Sequence, residues 1–241
     1  MGTAVITGAG QGLGQASARR LARDGHRVVA VDVNGEAAEA TAREIGGAAQ
    51  WRQCDVTDRD AVLAMAATVD ACDVLVNNAG IWRFHSILEM SPADAQAVLD
   101  VNVLGLIWCT QAFVPKMRAA GGGSIVNLSS GAAWTHSPGL GIYAATKSAV
   151  ESITKTLALE LGPDGIRANA IGPGLIVSEG TAASYQGDRR NERAKGVPMR
   201  RTGDPTDIAD VVSFLAGPDA RYVSGQVIYV DGAVTAGRLS L

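Results

Sequence analysis

Cysteine is scarce in this chain: three residues in 241. Cys54, Cys72 and Cys109 are odd in number, far apart and without CxxC spacing, which argues against a disulfide framework or a zinc site and fits a reducing compartment. Each is expected to serve as a small buried apolar residue. A basic excess is also missing. The net charge is -3, so nothing points to nucleic acid. The one Arg-rich spot, Arg189, Arg190 and Arg193, is interrupted by Asn191 and Glu192 and reads as a solvated loop. No run reaches the roughly 18 apolar residues expected of a membrane span. The chain opens almost directly into an apolar run with no charged leader, and a cytoplasmic location is expected. Histidine is limited to His26, His85 and His136, the last two in loops on the side where a ligand is expected.

What is present is an ordinary balance of 47% hydrophobic and 19% charged residues, suited to one α/β domain over 1–241. Apolar runs of strand length fall at 3–6, 28–31, 51–54, 74–77, 125–128, 168–171 and 227–230. Helical patterns separate them, near 15–23, 36–45, 59–69, 93–119, 143–161 and 206–215. Seven strands alternating with helices predict a doubly wound, Rossmann-like parallel sheet covered on both faces. Only 178–198 departs from this rhythm. It is polar and follows a strand end, where ligands bind in open α/β sheets, so a lid over substrate is expected there.

The first strand runs into Thr7-Gly8-Ala9-Gly10-Gln11-Gly12-Leu13-Gly14 and then a helix. Glycines in this position let the backbone turn sharply and approach a pyrophosphate at the helix N-terminus. The second strand stops at Asp32, eighteen residues after Gly14. Strand, glycine loop, helix, strand and acid is the order of a dinucleotide-binding unit. A carboxylate at that point accepts hydrogen bonds from a ribose hydroxyl and repels a 2′-phosphate. NAD is therefore expected over NADP.

Further along, Ser130 ends a strand, and Tyr143 and Lys147 lie four apart at the start of a helix, on one face. A hydroxyl, a phenol and an ammonium can thus converge. A free tyrosine ionises near pH ~10, and lowering that by roughly three units needs about 4 kcal/mol of preferential stabilisation of the phenolate. Lys147 and the positive ring of an oxidised nicotinamide both have the right sign for this. No metal is called for.

Over essentially its whole length the chain resembles the classical short-chain dehydrogenases/reductases. It carries their TGxxxGxG at Thr7–Gly14, Asp55-Val56, NNAG at Asn77–Gly80, the Asn of the long central helix at Asn102, Ser130, YxxxK at Tyr143–Lys147 and Pro173-Gly174. The resemblance implies that Tyr143 is the acid/base, Ser130 polarises the substrate oxygen, Lys147 binds the nicotinamide ribose and Asn102 supports a water leading to Lys147. It implies cofactor contacts from Gly8, Gln11, Gly12, Leu13, Gly14 and Asp32, with Asp55 and Val56 at the adenine. Asn78, Ala79 and Gly80 would form the wall beside the cofactor. Pro173, Gly174, Ile176 and Ser178 would meet the nicotinamide end, Ser178 standing where the family often has Thr. It also implies a homotetramer built on the helices near 93–119 and 143–161 and on the last helix and strand. The tail 233–241 is expected to reach a neighbouring subunit.

Trp82, Phe84, Trp134, His136, Leu140, Leu175 and Tyr185 are the candidates for touching a substrate. The expected reaction is the NAD(H)-dependent interconversion of a secondary alcohol and a ketone, the substrate apolar and possibly cyclic or aromatic. A 3-oxoacyl thioester reductase is the alternative, followed by a non-catalytic NAD-binding sensor or scaffold. An epimerase or dehydratase of the extended relatives is disfavoured by loop spacing and chain length.

Overall fold

In the computed structural model, which describes residues 2–47 and 49–237, seven parallel strands form one sheet in the order β3-β2-β1-β4-β5-β6-β7. They are β1 (Thr3–Thr7), β2 (Arg27–Asp32), β3 (Gln50–Gln53), β4 (Val74–Asn77), β5 (Gly123–Leu128), β6 (Ile166–Pro173) and β7 (Val227–Val230). The helices between them are α1 (Gly12–Arg23), α2 (Gly35–Ile45), α3 (Arg59–Ala67), α4 (Pro92–Leu99), α5 (Gly105–Ala119), α6 (Ala132–Thr135), α7 (Ile142–Leu161), α8 (Arg189–Lys195) and α9 (Pro205–Ala216). This is the single Rossmann-like domain that the alternation of runs predicts.

Alternate residues along each strand face opposite sides, and both sides are dry. Val5, Leu75, Ile125 and Ala168 join Val62, Phe113, Met117 and Leu161 in one core beneath α3, α5 and α7. Ala4, Ile6, Val76, Val126 and Ile171 join Leu21, Ile208, Val212 and Leu215 in the other, beneath α1 and α9. This two-sided burial is why the strands read as unbroken apolar runs rather than alternating ones. The three cysteines are buried and free, as expected. Strand order reverses between β1 and β4, and the crevice beyond their carboxyl ends is where such sheets bind ligands.

Two segments differ from expectation. The helix anticipated over 93–119 is interrupted by a π-helical turn at Asp100–Leu104, which separates α4 from α5. The whole run Pro92–Ala119 is long and apolar enough to pass as a membrane span by length and composition. In the fold its Cys109, Phe113 and Met117 are buried in the core under the sheet. The stretch 178–198 is not an irregular loop: it holds a 3-10 turn at Glu179–Tyr185 and then α8. Ser178 opens it in a capping box, its backbone N–H donating to Thr181 Oγ1 at 2.9 Å. Residues 238–241 of the tail lie outside the described residues, so the reach expected of it is not described.

Candidate active site

The glycine loop closes on itself and on β4. Gly8 is left-handed at φ 64°, a conformation that glycine adopts at no steric cost. A Cβ on Gly14 would stand 2.1 Å from the Gly8 carbonyl oxygen, so the first turn of α1 rests directly on the loop backbone. Asn78 fixes the loop from the far side, its Nδ2 donating to the carbonyls of Thr7 at 2.9 Å and Gly8 at 3.0 Å. The Thr7 hydroxyl accepts from the N–H groups of Asn78 and Ala79. Asp32 leaves β2 with Oδ2 accepting from Gly10 N–H and Oδ1 from Asn34 N–H, both at 2.9 Å. Each oxygen keeps a further lone pair for a ligand.

A cleft of about 1150 Å³ runs from Asp32 across the sheet ends to the stretch after β6. Gly8, Gln11, Gly12, Leu13 and Asp32 line one end, with Asp55 and Val56 beside them. Asn78, Ala79 and Gly80 line its middle. Ser130, Tyr143, Lys147, Pro173, Gly174, Ile176 and Ser178 line the other end. Gly14 and Asn102 stand behind this surface, the first under the loop and the second beneath Gly80. The cradle fits a dinucleotide in size, in the helix N-terminus that α1 presents to it, where Gly12 N–H is held by Glu179, and in a carboxylate placed for a ribose.

At the second end, α7 presents Tyr143 and Lys147 toward the end of β5. Lys147 is buried, and its Nζ donates to the Leu128 carbonyl at 2.8 Å and lies 5.8 Å from the centre of the Tyr143 ring. Burial pushes its ammonium down to about 8. Burial pushes the Tyr143 phenol up, and a hydrogen bond with Ser130 only partly offsets this. Desolvation of the phenolate thus runs against the lowering expected of Lys147 and an oxidised nicotinamide together. Ser130 is oriented through its Oγ, which accepts from Ala132 N–H at 3.1 Å.

Asn102 sits inside the π-helical turn and is buried. It grips the chain after β4, accepting from Ile81 N–H at 2.8 Å and donating to the Ile81 carbonyl at 2.9 Å. Its Nδ2 also donates to Thr146 Oγ1 on α7 at 3.1 Å, so one side chain ties the β4 loop to the helix bearing Tyr143 and Lys147. A Cβ on Gly80 would lie 3.3 Å from Asn102 Oδ1 and 3.4 Å from Lys147 Nζ. Any larger residue at Gly80 would press on both groups.

Of the aromatic and apolar candidates, Trp82, Phe84, Leu140, Leu175 and Tyr185 line the cleft. The Phe84 ring meets Tyr143 edge-on at 5.8 Å and stacks beside Trp82 at 6.5 Å. Trp134 and His136 do not line it. Trp134 turns to Tyr229, 6.3 Å between ring centres, and is 63% exposed. His136 ends α6 in a left-handed conformation. Two groups were not singled out from the sequence, and a third, Arg193, reads there as part of a solvated loop. Glu151 Oε1 accepts from the hydroxyls of Ser129 and Tyr229, each at 2.8 Å. Glu179 reaches the glycine loop, and Arg193 lines the cleft rather than standing in solvent alone.

Residues 8–235 match the family model described as enoyl-(acyl carrier protein) reductase. A solved structure described as a short chain dehydrogenase/reductase family protein superposes with a TM-score of 0.91 at 40% identity, covering 98% of this chain and 97% of that one. The chain belongs to the short-chain dehydrogenases/reductases. Among these relatives, the 3-oxoacyl-[acyl-carrier-protein] reductase of Staphylococcus aureus is 39% identical over 96% of this chain and 97% of its own length. A gluconate 5-dehydrogenase from Burkholderia cenocepacia, solved in complex with NADP and tartrate, superposes with a TM-score of 0.92 at 35% identity, covering 98% and 95% of the two chains. Membership of this family makes the protein an oxidoreductase that uses a nicotinamide cofactor and acts on small molecules.

Proposed function

We propose that this protein is an NAD(H)-dependent oxidoreductase that interconverts a secondary alcohol and a ketone. The observation that carries the reading is a single cleft with the glycine loop and Asp32 at one end and Ser130, Tyr143 and Lys147 at the other. Gly8, Gln11, Gly12 and Leu13 would hold the pyrophosphate, Asp32 the adenosine ribose, and Asp55 and Val56 the adenine. Pro173, Gly174, Ile176 and Ser178 would hold the nicotinamide end. A nicotinamide bound there supplies or accepts the hydride.

Every other task falls to the chain. Ser130 donates a hydrogen bond to the substrate oxygen, and Tyr143 exchanges the proton at that same oxygen. In the direction of ketone reduction, the raised phenol is already in the protonated form that an acid needs. In alcohol oxidation, positive charge brought close to the phenol must overcome its desolvation. Lys147, held by the Leu128 carbonyl, would contact the nicotinamide ribose. Asn102 fixes the loop beside it and would support a water leading to Lys147. The stretch 178–198 acts as a lid, and the enzyme works as a cytoplasmic homotetramer.

Asp32 supports NAD, because among the described residues no Lys or Arg lines the cleft beside it to receive a 2′-phosphate; the lining cations there are Lys147 and Arg193. The NADP-bound relative shows that the family also accommodates the phosphorylated cofactor. A second reading, reduction of a 3-oxoacyl thioester, is supported by the acyl-carrier relative and the family model. A panel of secondary alcohols, ketones and 3-oxoacyl thioesters, followed by nicotinamide absorbance with NAD and NADP separately, tests both. Turnover of the alcohols with NAD, and its loss by at least about a thousandfold in Tyr143→Phe, is the expected result. Retained turnover in that variant would remove Tyr143 from the mechanism, and a clear NADP preference would overturn the role of Asp32.

A further inference from the structure

Arg193 differs from the arginines around it. Arg201 pairs with Asp207 at 2.6 Å, Arg190 donates to Thr202, and Arg200 caps the Lys195 carbonyl. Among the described residues Arg193 enters no ion pair. Its guanidinium carbon instead lies 4.8 Å from the centre of the Tyr185 ring, and both side chains line the cleft. Tyr185 is only 9% exposed, so the ring is a fixed platform. A guanidinium held over a buried ring by a cation–π contact spends none of its N–H donors on it, and its planar fork suits bidentate recognition of a carboxylate.

The surroundings favour an anion. In the same half of the cleft, Trp82, Phe84, Leu140 and Leu175 contribute apolar surface. Among the described residues the one carboxylate lining that half, Asp231, is already engaged, accepting from Ala233 N–H at 2.9 Å and Thr235 N–H at 2.7 Å. A cation with no ion-pair partner among the described residues, at the rim of an apolar cavity that ends on Tyr143, can discriminate between charged and neutral substrates.

We propose that Arg193 is a specificity residue and that the substrate is a secondary alcohol or ketone carrying a carboxylate at the far end of an apolar segment. The proposal rests on the alcohol–ketone reading above. It is tested with levulinate, its next two homologues and the methyl ester of each, comparing kcat/KM for acid and ester in the wild type, Arg193→Gln, Arg193→Lys and Arg189→Gln. The expected result is an acid-over-ester ratio of about tenfold or more for at least one chain length. That ratio falls toward one in Arg193→Gln, recovers partly in Arg193→Lys and stays in Arg189→Gln, whose exposed side chain does not line the cleft. A ratio near one in the wild type, or one that survives Arg193→Gln, overturns the proposal. A second readout separates it from the reaction itself: quenching of bound NADH fluorescence as each acid or ester is titrated into the protein. If no pair is turned over, turnover of the broader alcohol and ketone panel decides whether the alcohol–ketone reading stands. Arg193 is then judged on binding alone, where equal affinity for acid and ester, or an unchanged preference in Arg193→Gln, rejects it.

Discussion

The backbone N–H of Gly12, the first residue of α1, donates to Glu179 Oε2 at 3.1 Å. A carboxylate from the stretch after β6 therefore sits on a helix N-terminus that the proposed function assigns to the cofactor pyrophosphate. The two anions compete for the same end of the same helix dipole. At an exposed site such an interaction contributes roughly 0.3–1 kcal/mol. Glu179→Gln is accordingly expected to tighten NADH binding by roughly two- to fivefold, measured by fluorescence titration. The gain should shrink as salt screens the carboxylate. Weaker binding in Glu179→Gln would mean that the carboxylate serves to hold its segment against the cofactor.

Gly14 offers a steric test of the same loop. Helix propensity alone favours alanine at a helical glycine by about 1 kcal/mol. A Cβ on Gly14, however, would stand 2.1 Å from the Gly8 carbonyl and 2.5 Å from Asn78 Nδ2, so loop and helix must separate. Overpacking of this kind costs about 1–3 kcal/mol. Gly14→Ala should lower the midpoint of thermal unfolding and weaken cofactor binding together. Gly162 is the matched control, helical at φ -53° with nothing within 4 Å of an added Cβ. Gly162→Ala should be neutral or stabilising by about 0.5 kcal/mol, and a loss as large as that of Gly14→Ala would refute the steric account.

The strands and most helices were legible in the sequence because burial on both faces writes β1, β4 and β5 as plain apolar runs. The glycine loop and Asp32 were legible because a backbone fold and a charge requirement each allow few residue types. Ser130, Tyr143 and Lys147 could be placed on one strand end and one helix face by spacing. What the π-helical turn does could not be read. Asn102 is one polar residue in an apolar helical pattern, and its hold on Ile81 and Thr146 depends on a one-residue shift of the ladder that leaves no compositional mark. Arg193 escaped for the opposite reason: its charge-rich neighbourhood is what a solvated surface also looks like. Only the buried ring of Tyr185, eight residues earlier, changes its meaning. The balance at Tyr143 could not be read, since a sequence shows the sign of a neighbouring charge such as Lys147 but not how much water has been removed around the phenol.

Lys147 also leaves a signature in stability against pH. Its ammonium is fully sequestered, and burial takes its pKa from 10.5 to about 8. The unfolded chain holds this proton more tightly than the folded one, so between those two values stability rises with pH on its account. Below about 8 both states are protonated, and the folded state carries the full cost of a buried charge, about 3 kcal/mol. That cost disappears as the pH climbs past 10.5, where the amine is neutral in both states. In Lys147→Met this contribution is gone at every pH. The difference in unfolding free energy between wild type and Lys147→Met, read from urea melts at neutral pH and near pH 10, should therefore move in favour of the wild type by about 2 kcal/mol. The bond to the Leu128 carbonyl is lost in the variant at all pH values, so it shifts both measurements equally and leaves their difference intact. A pH-independent gap between the two proteins would show that Lys147 is solvated in the folded chain, and its placement against Leu128 would have to be abandoned.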